Sequence, residues 1–254
     1  MSYDYIYQTE RMATEIDGKT VEVIVQLVAD TTGIGDPREN DNVSTMLFFN
    51  HRRYQLGDRH ELDYGEREAF EHGGLEGLVK HLTRQEGLIA FTLVGMYDHS
   101  GITIYPISKA SEHPWYDHGG WDSGCLGLSY ITQKRWTEMM GDADPNEEVD
   151  GKATVGMGTF DVKRKWADEV LRQEINEYDD WLRGNVWGLV ATKPCDHETE
   201  HIDPLDVSES IDDDRVAACP HAETIESTWG YIGDPDDAWK DMTADLGFKA
   251  LAPA

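Results

Sequence analysis

Residues 5–28 read Y-I-Y-Q-T-E-R-M-A-T-E-I-D-G-K-T-V-E-V-I-V-Q-L-V. Tyr5–Ile16 and Thr20–Val28 are rich in β-branched and aromatic residues, and Asp17-Gly18 between them suits a two-residue turn. The stretch therefore predicts an antiparallel hairpin, and the rest of the chain is read outward from it. A polar segment follows, Thr31–Asn42, broken by Gly33, Gly35 and Pro37. Val43–Phe49 reads as a strand, apolar enough to be expected at the centre of a sheet. Glu66–Gln85 sets Phe70, Leu75, Leu78, Val79 and Leu82 at helical spacing, with Gly73-Gly74 weakening its middle.

Leu88–Met96 and Ile102–Ile107 are strands joined by Tyr97-Asp98-His99-Ser100-Gly101. A loop rich in Trp, His and Gly, Ser108–Gly124, leads to a strand at Leu126–Ile131, and Thr132 can cap a short helix ending near Gly141. Beyond an acidic loop, Gly141–Gly151, the segment Phe160–Arg183 aligns Val162, Trp166, Val170, Leu171, Ile175, Tyr178 and Leu182 on one helix face. Gly184 stands where a C-cap glycine belongs. Asn185–Ala191 and Ile225–Ile232 read as two strands of the same sheet, and Asp236–Leu246 as a last helix. This order predicts an α+β protein in a single domain, 1–254, with a mixed, largely antiparallel sheet and helices mainly on one face. An acidic Cys/His-rich insertion, 193–223, interrupts it.

The 254 residues are 39% apolar and 10% aromatic, enough for a packed core. The formal charge is −28, from 50 acidic and 22 basic side chains. Asp (28) exceeds Glu (22), and Lys numbers only 10. Such a balance fits a surface solvated for high salt, a mimic of nucleic-acid phosphate, or a chain whose partner has a basic surface. Direct binding of duplex nucleic acid is disfavoured, because counterion release needs clustered Lys and Arg. No run approaches the roughly 18 apolar residues of a membrane span, and the N-terminus lacks the basic-then-apolar layout of a signal peptide. Three cysteines, an odd number, do not make a secreted disulfide framework. A cytoplasmic location without a membrane partner is expected; the oligomeric state is not legible.

Four places can carry chemistry. Val43–Gly57 holds no acidic residue, an exception in this chain, and it delivers His51, Arg52, Arg53 and Tyr54 just past a strand, with Asp58 next. Arginine can grip a phosphate or carboxylate through paired hydrogen bonds, or it can pair internally with the many carboxylates. Asp98-His99-Ser100-Gly101 is a turn that needs only its Asp and Gly, so His99 is not required by the backbone. If Glu66–Gln85 crosses over between parallel strands, the ends of Val43–Phe49 and Leu88–Met96 share one edge, and His51 and Arg52 neighbour Asp98 and His99. Asp98 could then work with His99 or His51 as an acid-base pair.

The Trp115–Gly124 stretch, with Trp121 and Asp122, could stack a base or sugar, or could simply be pinned down by its aromatic rings. The fourth place is Cys195-x-His197-x-x-x-His201 with Cys219-x-His221. It offers enough ligands for a structural zinc, although the spacing is not that of a standard finger. A Cys195–Cys219 disulfide and a flexible loop are the alternatives.

Asp36-Pro37-Arg38-Glu39-Asn40-Asp41-Asn42, Thr45-Met46 and His51-Arg52-Arg53-Tyr54-Gln55-Leu56-Gly57-Asp58 resemble the N-P-R-E-x-D-N…H-R-R-Y-x-L-G-D signature of a family of small proteins encoded by phages and other mobile elements. Tyr97–Thr103, Trp121–Gly124, Glu177-Tyr178 and Trp229-Gly230-Tyr231-Ile232-Gly233-Asp234 are similar to its later motifs, in the same order. Asp36 departs from the family's Asn, and Thr228 stands where a Cys is usual. The resemblance implies a viral or mobile-element setting rather than a particular reaction. The leading expectation is a phage-type accessory protein that binds a nucleotide-like small molecule or a basic host protein, with counter-defence as the setting. The rivals are a metal-dependent hydrolase or nuclease using His51 or His99 with Asp58, Asp98 or Asp122, and a structural protein without a ligand.

Overall fold

The computed structural model describes residues 5–31, 34–50, 53–107, 122–140, 159–196 and 213–251. The strands are β1 (Ile6–Ile16), β2 (Lys19–Ala29), β3 (Thr45–Leu47), β4 (Leu88–Asp98), β5 (Ile102–Pro106), β6 (Ser123–Thr132), β7 (Val186–Lys193), β8 (Glu223–Ile232) and β9 (Lys249–Ala250). The helices are α1 (Tyr64–Glu86), α2 (Gln133–Met140), α3 (Thr159–Leu182), α4 (Asp213–Ala218) and α5 (Pro235–Asp245). The protein is thus α+β, and every pair of named strands is antiparallel. Two sheets form where the sequence reading has one, and they belong to two compact units, Met1–Gly35 with Gly184–Ala254 and Asp36–Arg183. Periodicity identifies strands but not their partners, and partner choice is what divides the sheet.

The first unit is built on the order β8-β7-β2-β1-β9. Asp17 (φ 51°) and Gly18 (φ 73°) both take the left-handed conformation that a tight hairpin turn demands, closing the predicted β1–β2 pair at Ile16 and Lys19. Successive residues of β2 project to opposite faces. Val23, Val25 and Leu27 pack with Trp187, Leu189, Ala238 and Met242 under α5. Ile24 faces the other way, onto Cys195, Val216 and Cys219 of the α4 region. The Trp229–Asp234 motif has a structural account here. Trp229 lies over Gly188, whose Cβ would fall 2.1 Å from the indole ring. Gly230 (φ 86°) occupies the register shift between β7 and β8. Asp234 caps α5 by accepting the Asp236 N–H at 2.9 Å.

The second unit orders its strands β3-β6-β4-β5. β3 and β4 both run antiparallel to β6 between them, so they are parallel to one another. Their C-terminal ends therefore lie at the same edge, as the crossover argument requires. β3 is an edge strand, not a central one. Its apolar character is explained by a covering segment: the Phe48 N–H donates to the Arg59 carbonyl at 2.8 Å, and the Asp58 and Arg59 N–H groups donate to the Met46 carbonyl.

Helices cover both faces of this sheet rather than mainly one. Met46, Val94, Met96, Ile104 and Leu126 pack with Ile175 and Tyr178 of α3. Leu47, Leu128 and Tyr130 pack with Leu78 and Leu82 of α1. The cause is β6, which is buried at every position from Leu126 to Thr132 and so needs a layer on each side. α1 starts in a capping box between Asp63 and Glu66 and kinks at Gly74 (φ 58°), inside the predicted weak point. Val162, assigned to the α3 face, and the predicted loops at 108–121, 141–151 and 197–212 lie outside the described residues or side chains.

Candidate functional site

Two segments of the sequence signature meet through one buried ion pair. Pro37–Glu39 forms a single 3-10 turn, with Pro37 at its start and the Asp36 carboxylate accepting the Arg38 N–H at 2.8 Å. An Asn side chain offers the same acceptor oxygen, so the departure at position 36 preserves the cap. The turn drives the Arg38 side chain inward until it is 3% exposed. Its fork meets Asp58 twice, Nε to Oδ1 at 3.1 Å and Nη2 to Oδ2 at 2.7 Å. It also donates to Glu174 of α3, to Asn42 and to the Ser44 carbonyl, each at about 3 Å. Glu174 in turn accepts the Val43 and Ser44 N–H groups, and the Ser44 hydroxyl. Burial alone would lower the Arg38 pKa, but its bonds to Asp58 and Glu174 hold it raised.

This network fixes both ends of the segment that carries the arginines. At the far end the Asp58 carboxylate accepts the Met46 N–H at 2.6 Å, and the Gly57 N–H donates to the Tyr178 hydroxyl at 3.0 Å. Gly57 (φ 74°) is required: a Cβ there would fall 2.9 Å from the Met46 carbonyl oxygen. Asp58 is therefore an internal anchor, tied to Arg38 and to the Met46 N–H.

What the anchor presents is a polar cleft of about 410 Å³ at the shared strand ends, lined by Asn50, Arg53, Met96, Asp98, Asp122, Ser123, Gly124, Cys125 and Leu126. Arg53 is 73% exposed on its side chain and lies over the Tyr54 ring, 5.3 Å from its centroid. Asp98 gathers both, accepting Arg53 Nη1 at 3.5 Å and the Tyr54 hydroxyl at 3.4 Å. Both contacts are long for hydrogen bonds. The Asp98 N–H donates to the Asp122 carbonyl at 2.8 Å, which brings the second carboxylate to the same wall. Asn50 bonds the Cys125 carbonyl at 2.8 Å. Arg53, Tyr54, Asp98 and Asp122 are thus brought together; His51, Arg52 and Trp121 lie outside the described residues.

His99 belongs elsewhere. Its Nδ1 meets the Ser100 hydroxyl at 3.2 Å, and its ring stacks on Tyr97. It lines a different cleft, with Thr103, Leu182 and Arg183. The suggested acid-base pairing of Asp98 with His99 therefore gives way to two separate sets of contacts.

In the first unit Cys195 and Cys219 are thiols buried in one cluster beside Ile24 and Val216, 4% and 9% exposed. His221 follows two residues after Cys219; His197 and His201 lie outside the described residues. Among the described residues no group of three or more His, Cys, Asp or Glu side chains is arranged to hold a metal ion, and no helix among them is long and apolar enough to cross a membrane.

Sequence reasoning missed Arg38 and Glu174, whereas Asn50 headed the first candidate stretch, Asn50-His51-Arg52-Arg53-Tyr54. Arg38 and Glu174 were masked by the ordinary look of a charged residue in a polar loop or on a helix. The one available signal was that Arg38 and Asp58 lie in the two stretches, 36–42 and 51–58, that the sequence reading grouped together. No protein-family model, curated protein or solved structure matches this chain.

Proposed function

We propose that this chain acts by binding, as a phage-type accessory protein of the host cytoplasm, and that the cleft at the ends of β3, β4 and β6 holds a nucleotide-like small molecule. Counter-defence is the biological setting that goes with this reading. One observation carries it: a buried, fully bonded anchor around Arg38 and Asp58 holds in place a short segment whose outward residues converge on a polar cleft. An exposed guanidinium at the rim suits an anionic group. The carboxylates of Asp98 and Asp122 suit donors such as ribose hydroxyls or the amino group of a base. Small-molecule sites combine a few convergent polar groups in this way.

The test is to incubate the purified protein with a nucleotide extract of cells, remove the unbound material, release the remainder by heat and identify it. A retained nucleotide supports the proposal. Arg53→Gln and Asp98→Asn are each expected to weaken retention about tenfold or more, the effect of losing a hydrogen bond to a charged group. Cys125, on the cleft wall, is expected to be protected from alkylation by the bound molecule. Conversion of the released pool would replace binding by a hydrolase activity. Recovery of nothing, together with a tight complex with a host protein, would transfer the function to the acidic surface.

A structural zinc in the 193–223 insertion is proposed as a separate feature of the first unit. Its support is the burial of Cys195 and Cys219 in one cluster, which gathers two thiols that are 24 positions apart in sequence. His197, His201 and His221 would supply the imidazoles. Elemental analysis of protein purified without added metal is expected to find one zinc per chain; clearly substoichiometric zinc ends the idea.

A further inference from the structure

We infer that the turn between β4 and β5 carries a second binding site, one that takes the phosphate group of a small aryl or nucleoside phosphate ester. This inference does not depend on the first cleft. The cleft here has a volume of about 440 Å³, and Tyr97, His99, Ser100, Thr103, Leu182 and Arg183 line it. The first cleft takes Met96 and Asp98 from the same strand end, so the two sets of lining residues do not overlap.

The chemistry of the lining selects an anion. His99 and Arg183 are the basic side chains on it, in a chain whose net charge is −28. His99 uses Nδ1 against the Ser100 hydroxyl, which leaves Nε2 as the ring nitrogen for a ligand. Arg183 is 40% exposed and meets Asp179 only at 3.7 Å, a single loose contact for a group with five N–H donors. The Asp179 carboxylate is committed to the Ile104 N–H at 2.7 Å, and burial pushes its pKa up to about 6, so it offsets Arg183 only in part.

Shape argues for a ring on the ester. Tyr97 and His99 stack with an interplanar angle of 13° and centroids 6.2 Å apart, and Leu182 supplies an apolar wall. Ser100 sits at φ 62°, a region that a non-glycine residue enters only at a cost of about 1–2 kcal/mol. Gly101 follows at φ 154°.

The experiment is titration of the protein with phenyl phosphate, followed through the His99 ring C–H resonances. A saturable shift is expected, with affinity falling about tenfold in Arg183→Gln and unchanged in Arg53→Gln, which touches only the first cleft. Phenol at the same concentrations is expected to produce no saturable shift. The inference is overturned by the absence of saturation with phenyl phosphate, by an equal response to phenol, or by an Arg183→Gln protein of unaltered thermal unfolding that binds as tightly as the parent. Loss of binding in Arg53→Gln would also overturn it, by assigning the phosphate to the first cleft.

Discussion

Arg38→Met is expected to lower the unfolding free energy by about 3–5 kcal/mol, the usual effect of removing one partner from a buried ion pair. The side chain it replaces is 3% exposed and is bonded to Asp58, Glu174, Asn42 and the Ser44 carbonyl. Methionine fills much of the volume, so the loss comes from two carboxylates left in a dry site without their cation. Urea unfolding of the variant checks this, and the network itself supplies the control. Glu174→Gln placed on the Arg38→Met background is expected to restore part of the loss, because it removes one of the stranded charges and keeps an acceptor for the Val43 and Ser44 N–H groups. Lysine at position 38 is expected to recover little, since an ammonium cannot span both Asp58 oxygens while also reaching Glu174. A loss below about 1 kcal/mol would place the pair among ordinary surface ion pairs and remove the anchor from the account.

Asp179→Asn is expected to change the pH dependence of stability. Burial raises the Asp179 pKa from 3.8 to about 6, against the lowering influence of the Ile104 N–H and Arg183. Between those values the folded protein holds a proton that the unfolded chain has released. Stability contributed by Asp179 is therefore fully present below the unfolded pKa and is lost as the pH rises through the folded one. Asparagine does not titrate, and its carbonyl oxygen can still accept the Ile104 N–H. The stability of the variant relative to the parent is expected to grow by about 2 kcal/mol between roughly pH 4.5 and pH 7. Paired urea titrations at the two pH values measure it. A difference that is the same at both would mean that the carboxylate is solvated in the folded state.

The local elements were legible because each has a local cause. Asp17-Gly18 can hardly be anything but a turn, and the long apolar face of α3 calls for a helix whatever surrounds it. The shared edge at the ends of β3 and β4 was legible too, through the crossover between them, although the reading set His51 and Arg52 beside Asp98 and His99 there and not Arg53, which meets Asp98. What could not be read was anything that depends on a distant partner. Val43–Phe49 looked central because it is apolar, whereas its free side is covered by the segment at Asp58 and Arg59. Arg38 looked like one more loop cation, because Glu174, which completes its site, is 136 residues away. Position 58 read as a ligand-binding carboxylate for the same reason, its true partner being another part of the signature.

The bond between Asp179 and Ile104 has a further consequence, for self-association. β5 is the last strand of its sheet, and the outward N–H of Ile104 is what another extended chain would use to add itself there. A carboxylate occupying that position satisfies the donor and sets a negative charge in the path of any incoming strand. The guard weakens as the pH approaches 6, while the repulsion between copies of so acidic a chain declines over the same range. Mild acid therefore lowers both barriers to edge-to-edge joining at β5.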